Sequence, residues 1–219
     1  MAWYVFALVD EVPSGVGAKG LTGPLSLRKL GGAFAVVERR ADLPPVGFGT
    51  LKRHQDVVSR LATHVPAILP VRFGTLLESA DLEEALADRD EEIAEAFDLV
   101  RGRVQFTWRV SGKPGRAVRA ATRKDEQPAS GTAYLRQAAR AARPAAPAAF
   151  RALRATLAPL AVRQRYQPGT ATMPGALYHL VDRADQGRYA ATAATLGRRT
   201  RRLAVTGPFP PFAFAPEML

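Results

Sequence analysis

The 219-residue chain contains no cysteine. That excludes disulfides, thiolate zinc sites, iron–sulfur clusters and a cysteine nucleophile together. Histidine is scarce, with only His54, His64 and His179. No H-x-x-x-H pair is present, and no carboxylate cluster beside them completes a metal site. His54 and His64 lie ten residues apart on one expected helix, on opposing sides, and all three are expected as surface or capping residues. The serines are Ser14, Ser26, Ser59, Ser79, Ser111 and Ser130, and none sits in a G-x-S-x-G elbow. No uncharged apolar run approaches the roughly 18 residues of a membrane span. The opening Met1–Val9 has no basic segment and meets Asp10-Glu11 too soon for a signal peptide. These absences predict a soluble cytoplasmic protein with no catalytic constellation, no metal and no cofactor.

Acidic residues are also missing from one half. Residues 1–100 hold 10 Lys/Arg against 15 Asp/Glu, whereas residues 101–219 hold 21 against 5. The halves thus carry −5 and +16, which gives the overall +11. A basic half points towards nucleic acid or an acidic surface. Along the chain the switch also coincides with a new strand, so it reads as a domain boundary.

The remainder has the content of a folded chain, 47% hydrophobic and 23% charged. Residues 1–9 are apolar and aromatic, the pattern of a strand. A Gly/Pro-rich loop and Gly31-Gly32 lead to a second strand, Ala33–Val37. A helix is expected from Thr50 to about His64, with Leu51, Val57, Val58 and Leu61 on one face. Residues 67–73 form a short strand whose Pro70 suits an edge or an end. Residues 81–100 form one acidic helix with Leu82, Leu86, Ile93, Phe97 and Val100 as its stripe. Val104, Phe106, Trp108 and Val110 alternate with polar residues, a half-buried strand with its aromatics in the core. Residues 111–130 read as loop. Helices follow over 132–143 and on to about Leu157, broken by Pro144 and Pro147. Strands at 160–166 and 176–181, a helix over 182–199 and a strand at 200–205 complete the pattern. Strand, helices, strand, strand, helix, strand is the order of a ferredoxin-like sandwich. The fold class is therefore α+β with two domains: residues 1–100, a ferredoxin-like 101–206, and a Pro/Phe tail, 207–219, docked on the first.

Two constellations compete for a ligand reading. Gly15-Val16-Gly17-Ala18-Lys19-Gly20 matches G-x-G-x-x-G, with Glu38 placed like a ribose-binding acid. A dinucleotide site needs those glycines to open a helix, and Gly23-Pro24 interrupts any helix there, so a turn loop is the better account. The basic half lacks the aromatic run of an RNA-recognition sheet, and its Phe106 and Trp108 share the core phase.

Two stretches resist a bland explanation. Leu69-Pro70-Val71-Arg72-Phe73-Gly74-Thr75 sets an arginine and an aromatic before a glycine at a strand end. Gly207-Pro208-Phe209-Pro210-Pro211-Phe212-Ala213-Phe214 is stiff and aromatic, so a few contacts suffice to order it. Arg72, Phe73, Gly74, Gly207, Pro208, Phe209, Pro210, Pro211, Phe212 and Phe214 are accordingly the candidate residues, for partner binding or domain docking.

These stretches resemble the gas vesicle protein L/F (GvpL/GvpF) family. The likeness extends to Tyr4-Val5-Phe6, Ala33–Val37, His54, Ala133-Tyr134-Leu135 and Tyr178-His179-Leu180-Val181. It covers nearly the whole chain, and its two specific pieces are L-P-V-R-F-G-T and the ending similar to the family's G-P-W-P-P-Y-S-F. Here Phe209, Phe212 and Ala213 replace that Trp, Tyr and Ser, and Gln105 stands where an acid is expected. A tail held by packing tolerates those changes; one held by their hydrogen bonds does not. The resemblance implies a non-enzymatic accessory or minor structural protein of gas vesicle assembly, located at the vesicle. Its implied partners are the hydrophobic shell protein and other accessory proteins, with a nucleic-acid-binding module as the alternative.

Overall fold

The computed structural model describes residues 2–14, 17–110, 148–169, 175–200 and 203–217. The loop expected at 111–130 and the helix expected at 132–143 lie outside the described residues.

An antiparallel sheet organises the first half. Its strands are β1 (Ala2–Val9), β2 (Leu25–Leu30), β3 (Ala33–Arg40), β4 (Ile68–Pro70) and β5 (Leu76–Glu78). β1 pairs with β3 along its length, while its other edge is shared by β4 at Ala7–Val9 and β5 at Ala2–Tyr4. β1 is buried from Tyr4 to Val9, as its unbroken apolar sequence requires. A bulge between Val5 and Ala7 changes which face successive side chains reach. Tyr4, Phe6 and Val9 pack under helix α1 (Phe48–Ala62) with its Val57, Val58 and Leu61. Val5 and Leu8 pack on the opposite face with Leu82, Leu86, Ile93, Phe97 and Val100. These come from α2 (Ser79–Leu86) and α3 (Asp90–Val100).

The single acidic helix expected over 81–100 is two. Asp88 turns to φ 58 between them, a left-handed value that Asp tolerates better than most residues. β2 lay inside the expected loop, and it pairs with β3 through the two-residue Gly31-Gly32 connection. Leu51, expected on the apolar face of its helix, is exposed.

The second sheet contains β6 (Arg103–Val110), β7 (Arg163–Gln167), β8 (Ala176–Asp182) and β9 (Leu203–Phe209). Its order, β7-β8-β6-β9, and its antiparallel pairings are those of a ferredoxin-like sheet. Helices α4 (Ala148–Leu157) and α5 (Gln186–Arg199) cover one face, over Phe106, Trp108, Leu177 and Val181. β6 is not half-buried as its alternation suggests. Gln105 and Thr107, on its other face, are buried too. β9 runs beyond the expected 205 to Phe209, so Gly207-Pro208-Phe209 belongs to the strand.

The two sheets meet through backbone. Gly102 N–H donates to Pro66 O at 2.8 Å, and Arg183 N–H donates to Gly102 O at 2.9 Å. The Arg183 guanidinium donates to Ala62 O at 2.8 Å, at the C-terminal end of α1. Leu180 of β8 belongs to the same apolar cluster as Val5 and Leu8.

Candidate functional site

The Leu69–Thr75 stretch leaves β4 and turns back to β5. Val71 N–H donates to Phe6 O and Val5 N–H to Thr75 O, which pins both ends of the turn to β1. Gly74, at φ 94, occupies a backbone region that side chains disfavour. Behind the turn lies a buried polar chain with a determined direction. Val71 O accepts from His54 Nε2 at 3.2 Å, so that nitrogen carries the proton. His54 Nδ1 must then accept from the Tyr4 hydroxyl at 2.9 Å. The Tyr4 oxygen in turn accepts from Gly74 N–H at 3.3 Å. Phe6 stacks on the His54 ring, and Phe73 meets both His54 and Tyr4 edge-on. Burial pushes the His54 pKa down to about 4, against a smaller opposing effect from Val71 O. Burial likewise raises the Tyr4 pKa.

The C-terminal segment closes over this region. Gly207, at φ 132, lies so close to β6 that a Cβ there would stand 2.7 Å from Gln105 O and 3.0 Å from the Phe106 ring. Pro210 and Pro211 are buried, and a turn follows in which Phe214 and Ala215 N–H donate to Pro211 O. Gln105 Oε1 accepts from Ala213 N–H at 2.7 Å, while its Nε2 donates to Thr107 at 3.2 Å. Arg165 donates to Ala213 O at 2.7 Å. Phe214 and Ala215 enter the cluster of Val5, Leu8, Leu69, Val71 and Leu180. Phe73 and Phe212 pack against the cluster beneath α1. Arg72 points outward, paired with Glu217 on the surface. Gly207 and Pro208 are exposed on β9.

Beside the tail a cleft of about 420 Å³ opens between the sheets. Leu69 and Val71 form an apolar wall, and Arg72, Arg165, Gln167 and Tyr178 supply polar groups. The Tyr178 hydroxyl is engaged with Gln167 Oε1 at 2.6 Å.

A second tyrosine–histidine pair lies in the ferredoxin-like sheet. Trp108 Nε1–H donates to the Tyr189 oxygen at 2.8 Å, and Tyr189 donates to His179 Nδ1 at 2.7 Å. Burial, with a contribution from the Arg154 charge, holds the His179 pKa at about 4. Burial raises that of Tyr189. His54 and His179 are therefore core residues, which corrects the expectation of surface or capping histidines. Only His64 is exposed, where it contacts Ser14. The sequence did hold a signal for His54, which falls at helical spacing with Val57, Val58 and Leu61. None marked the Trp108–Tyr189–His179 chain, whose members come from three elements.

The Gly-rich loop is spoken for. Glu38 accepts from Leu21 N–H at 2.5 Å, Thr22 N–H at 3.1 Å, the Thr22 hydroxyl at 2.8 Å and Gly23 N–H at 3.0 Å. Burial opposes ionisation, but those hydrogen bonds outweigh it and hold the carboxylate below its usual range. Glu38 thus fastens its own loop instead of reaching a ribose. Among the described residues no His, Asp and Glu group could hold a metal ion. No helix among them is long and apolar enough to cross a membrane.

No curated protein matches the chain. Among the solved structures that resemble it are two gas vesicle proteins. The gas vesicle protein GvpF from Anabaena sp. PCC7120 superposes with a TM-score of 0.70 at 16% identity, covering 98% of this chain and 96% of that one. The gas vesicle protein GvpF from Microcystis aeruginosa gives 0.73 at 14% identity, covering 98% and 99%. At such identities the likeness establishes a shared fold. The family model described as gas vesicle synthesis protein GvpL/GvpF matches residues 2–216. With that match over nearly the whole length, the chain belongs to the GvpL/GvpF family of gas vesicle proteins.

Proposed function

We propose that this protein is a non-enzymatic accessory factor of gas vesicle assembly. It binds the apolar shell protein and other accessory proteins in the cytoplasm, at the growing vesicle. The family match over residues 2–216 carries this reading. The side chains that first suggested other chemistry favour it as well. His54 and Glu38 are committed to internal hydrogen bonds, and His179 is buried with its Nδ1 bonded to Tyr189. Physically, a subunit with exposed apolar surface aggregates unless another protein covers that surface or directs its addition.

Within this reading the two sheets form separate units, divided near residue 101, and the tail docks them together. Burial of Phe214 with Val5, Leu8 and Leu180 supports docking over partner binding for the tail phenylalanines. Several basic side chains of the second half serve internal acceptors, among them Arg103 with Asp182 and Arg183 with Ala62 O. That disfavours nucleic acid, for which no mobility shift of RNA is expected even at about 50 mM salt. The decisive experiment is a pull-down with the major shell protein. Retention above that of an unrelated basic protein is expected; equal retention refutes the reading.

A further inference from the structure

The tail shows what the outer face of the second sheet can hold. Its peptide unit at Ala213 is gripped from both sides. Gln105 Oε1 accepts from the Ala213 N–H at 2.7 Å, and Arg165 donates to the Ala213 C=O at 2.7 Å. Phe214 and Ala215 then enter the apolar cluster, and Glu217 pairs with Arg72. A clasped backbone, an apolar anchor and a carboxylate on a guanidinium are the elements of peptide recognition, here used within one chain.

The cleft of about 420 Å³ beside the tail offers the same elements a second time. Its volume falls within the ~300–1,000 Å³ of ligand clefts. Phe212, Ala213 and Pro216 line it with half-buried apolar surface, together with Leu69 and Val71. Of its described lining residues, Arg72, Arg165 and Glu217 are charged, and Arg72 and Glu217 cancel. Arg165 therefore sets the sign. It is exposed, it pairs with no carboxylate among the described residues, and its bond to Ala213 O engages one Nη and leaves the rest of the fork. Beside it, Gln167 Oε1 is taken by the Tyr178 hydroxyl, so the amide has Nε2 to donate. Arg163 lies on the same face, since it stands opposite Leu180 as Arg165 stands opposite Tyr178, and both of those partners face the first sheet. It adds a second exposed cation without a carboxylate partner among the described residues. A bare inorganic anion would leave the apolar lining unfilled. A nucleic-acid strand draws on many phosphate contacts, and this cleft supplies few cations.

We propose that this cleft binds an acidic peptide: a segment of a partner protein in which a Glu or Asp side chain lies next to a large apolar one. The carboxylate meets Arg165 and Gln167 Nε2, and the apolar neighbour rests on Phe212 and Val71. Arg163 favours the approach of the acid. The recognition chemistry is independent of which protein supplies the segment and of the gas vesicle reading above.

The experiment selects short random peptides on the full chain, displayed either between linkers or with a free C-terminus. The best sequence is then synthesised with a fluorescein label, and its affinity is read by anisotropy for the parent, R165Q and Q167E. Enrichment of an acid beside a large apolar residue is expected between linkers. Both variants should bind the selected peptide about tenfold more weakly or worse, as should the parent when the peptide acid is changed to its amide. Raising salt should weaken the parent's binding. Q167E keeps an oxygen for the Tyr178 hydroxyl and adds a negative charge, so its thermal midpoint should match the parent's. If R165Q loosens the tail and its midpoint falls, Q167E decides the matter. No enriched sequence, enrichment without an acid, or equal binding by Q167E overturns the proposal. Enrichment confined to the free C-terminus assigns the cleft to an α-carboxylate and overturns the internal segment. Displacement of the peptide by inorganic phosphate or single-stranded RNA, with Q167E refusing that competitor too, makes it a phosphate site and overturns the peptide.

Discussion

Acidifying the protein from about pH 7.5 to about pH 5 should cost about 4 kcal/mol of stability, through His54 and His179 alone. Both rings are buried and titrate at about 4 in the folded chain, against 6.5 when solvated. Between those values the unfolded chain binds a proton that the folded chain refuses. The contribution is complete above the unfolded pKa and is lost as pH falls through it. Each histidine then adds a slope of about 1.4 kcal/mol per pH unit, or about 2 kcal/mol across this window. Glu38 acts in the same direction, but its pKa lies below the ordinary 4.5, so its loss falls at more acid pH. Urea unfolding is a suitable assay, because Trp3 lies in β1 and Trp108 in β6, and fluorescence reports on both sheets. His54→Gln and His179→Gln should each remove one proton from the pH dependence, whatever they cost at neutral pH. Stability that stays flat down to pH 5, or a slope unchanged in either variant, refutes the assigned burial and protonation states.

Other substitutions test the remaining structural claims. Gly207→Ala should destabilise by about 2 kcal/mol or more in the same urea assay, since a Cβ meets the β6 backbone at a φ side chains avoid. Phe214→Ala should cost about 3 kcal/mol, because the ring lies in a core cluster; a change under about 1 kcal/mol shows that the tail does not hold the sheets. Tyr189→Phe strands Trp108 Nε1–H and His179 Nδ1 together and should lower stability by about 1–3 kcal/mol. Arg72→Ala breaks only an exposed ion pair and should stay within about 0.5 kcal/mol by thermal denaturation.

What the sequence displayed and what it hid follow from the range of the forces involved. β1, α1, β6 and β8 carry their own periodicity and could be read directly. β2 was legible in principle: a two-residue Gly-Gly between Leu25–Leu30 and Ala33–Arg40 is a hairpin signal. β5, at three residues, exists because β1 has an edge to share, and nothing local announces it. The break at Asp88 has neither glycine nor proline to mark it. At the candidate site, the motif glycines were visible as types but not as reasons. Gly207 is dictated by a strand about a hundred residues away in sequence, and Gly74 by its turn. The burial of Gln105 and Thr107 likewise depends on β6 being covered on both faces, with Ala213 bonded to Gln105, which no alternation pattern can express.

The tail has a consequence for how the molecule is made. Val5 leaves the ribosome about two hundred residues ahead of Phe214. Both belong to one apolar cluster, so that cluster stays open on one side throughout synthesis of the intervening chain. During that interval Leu8, Leu69 and Val71 lack part of their cover, and the nascent chain presents an apolar, aggregation-prone surface. Closing it requires a contact of extreme sequence separation, which places the final consolidation of the first sheet late in folding.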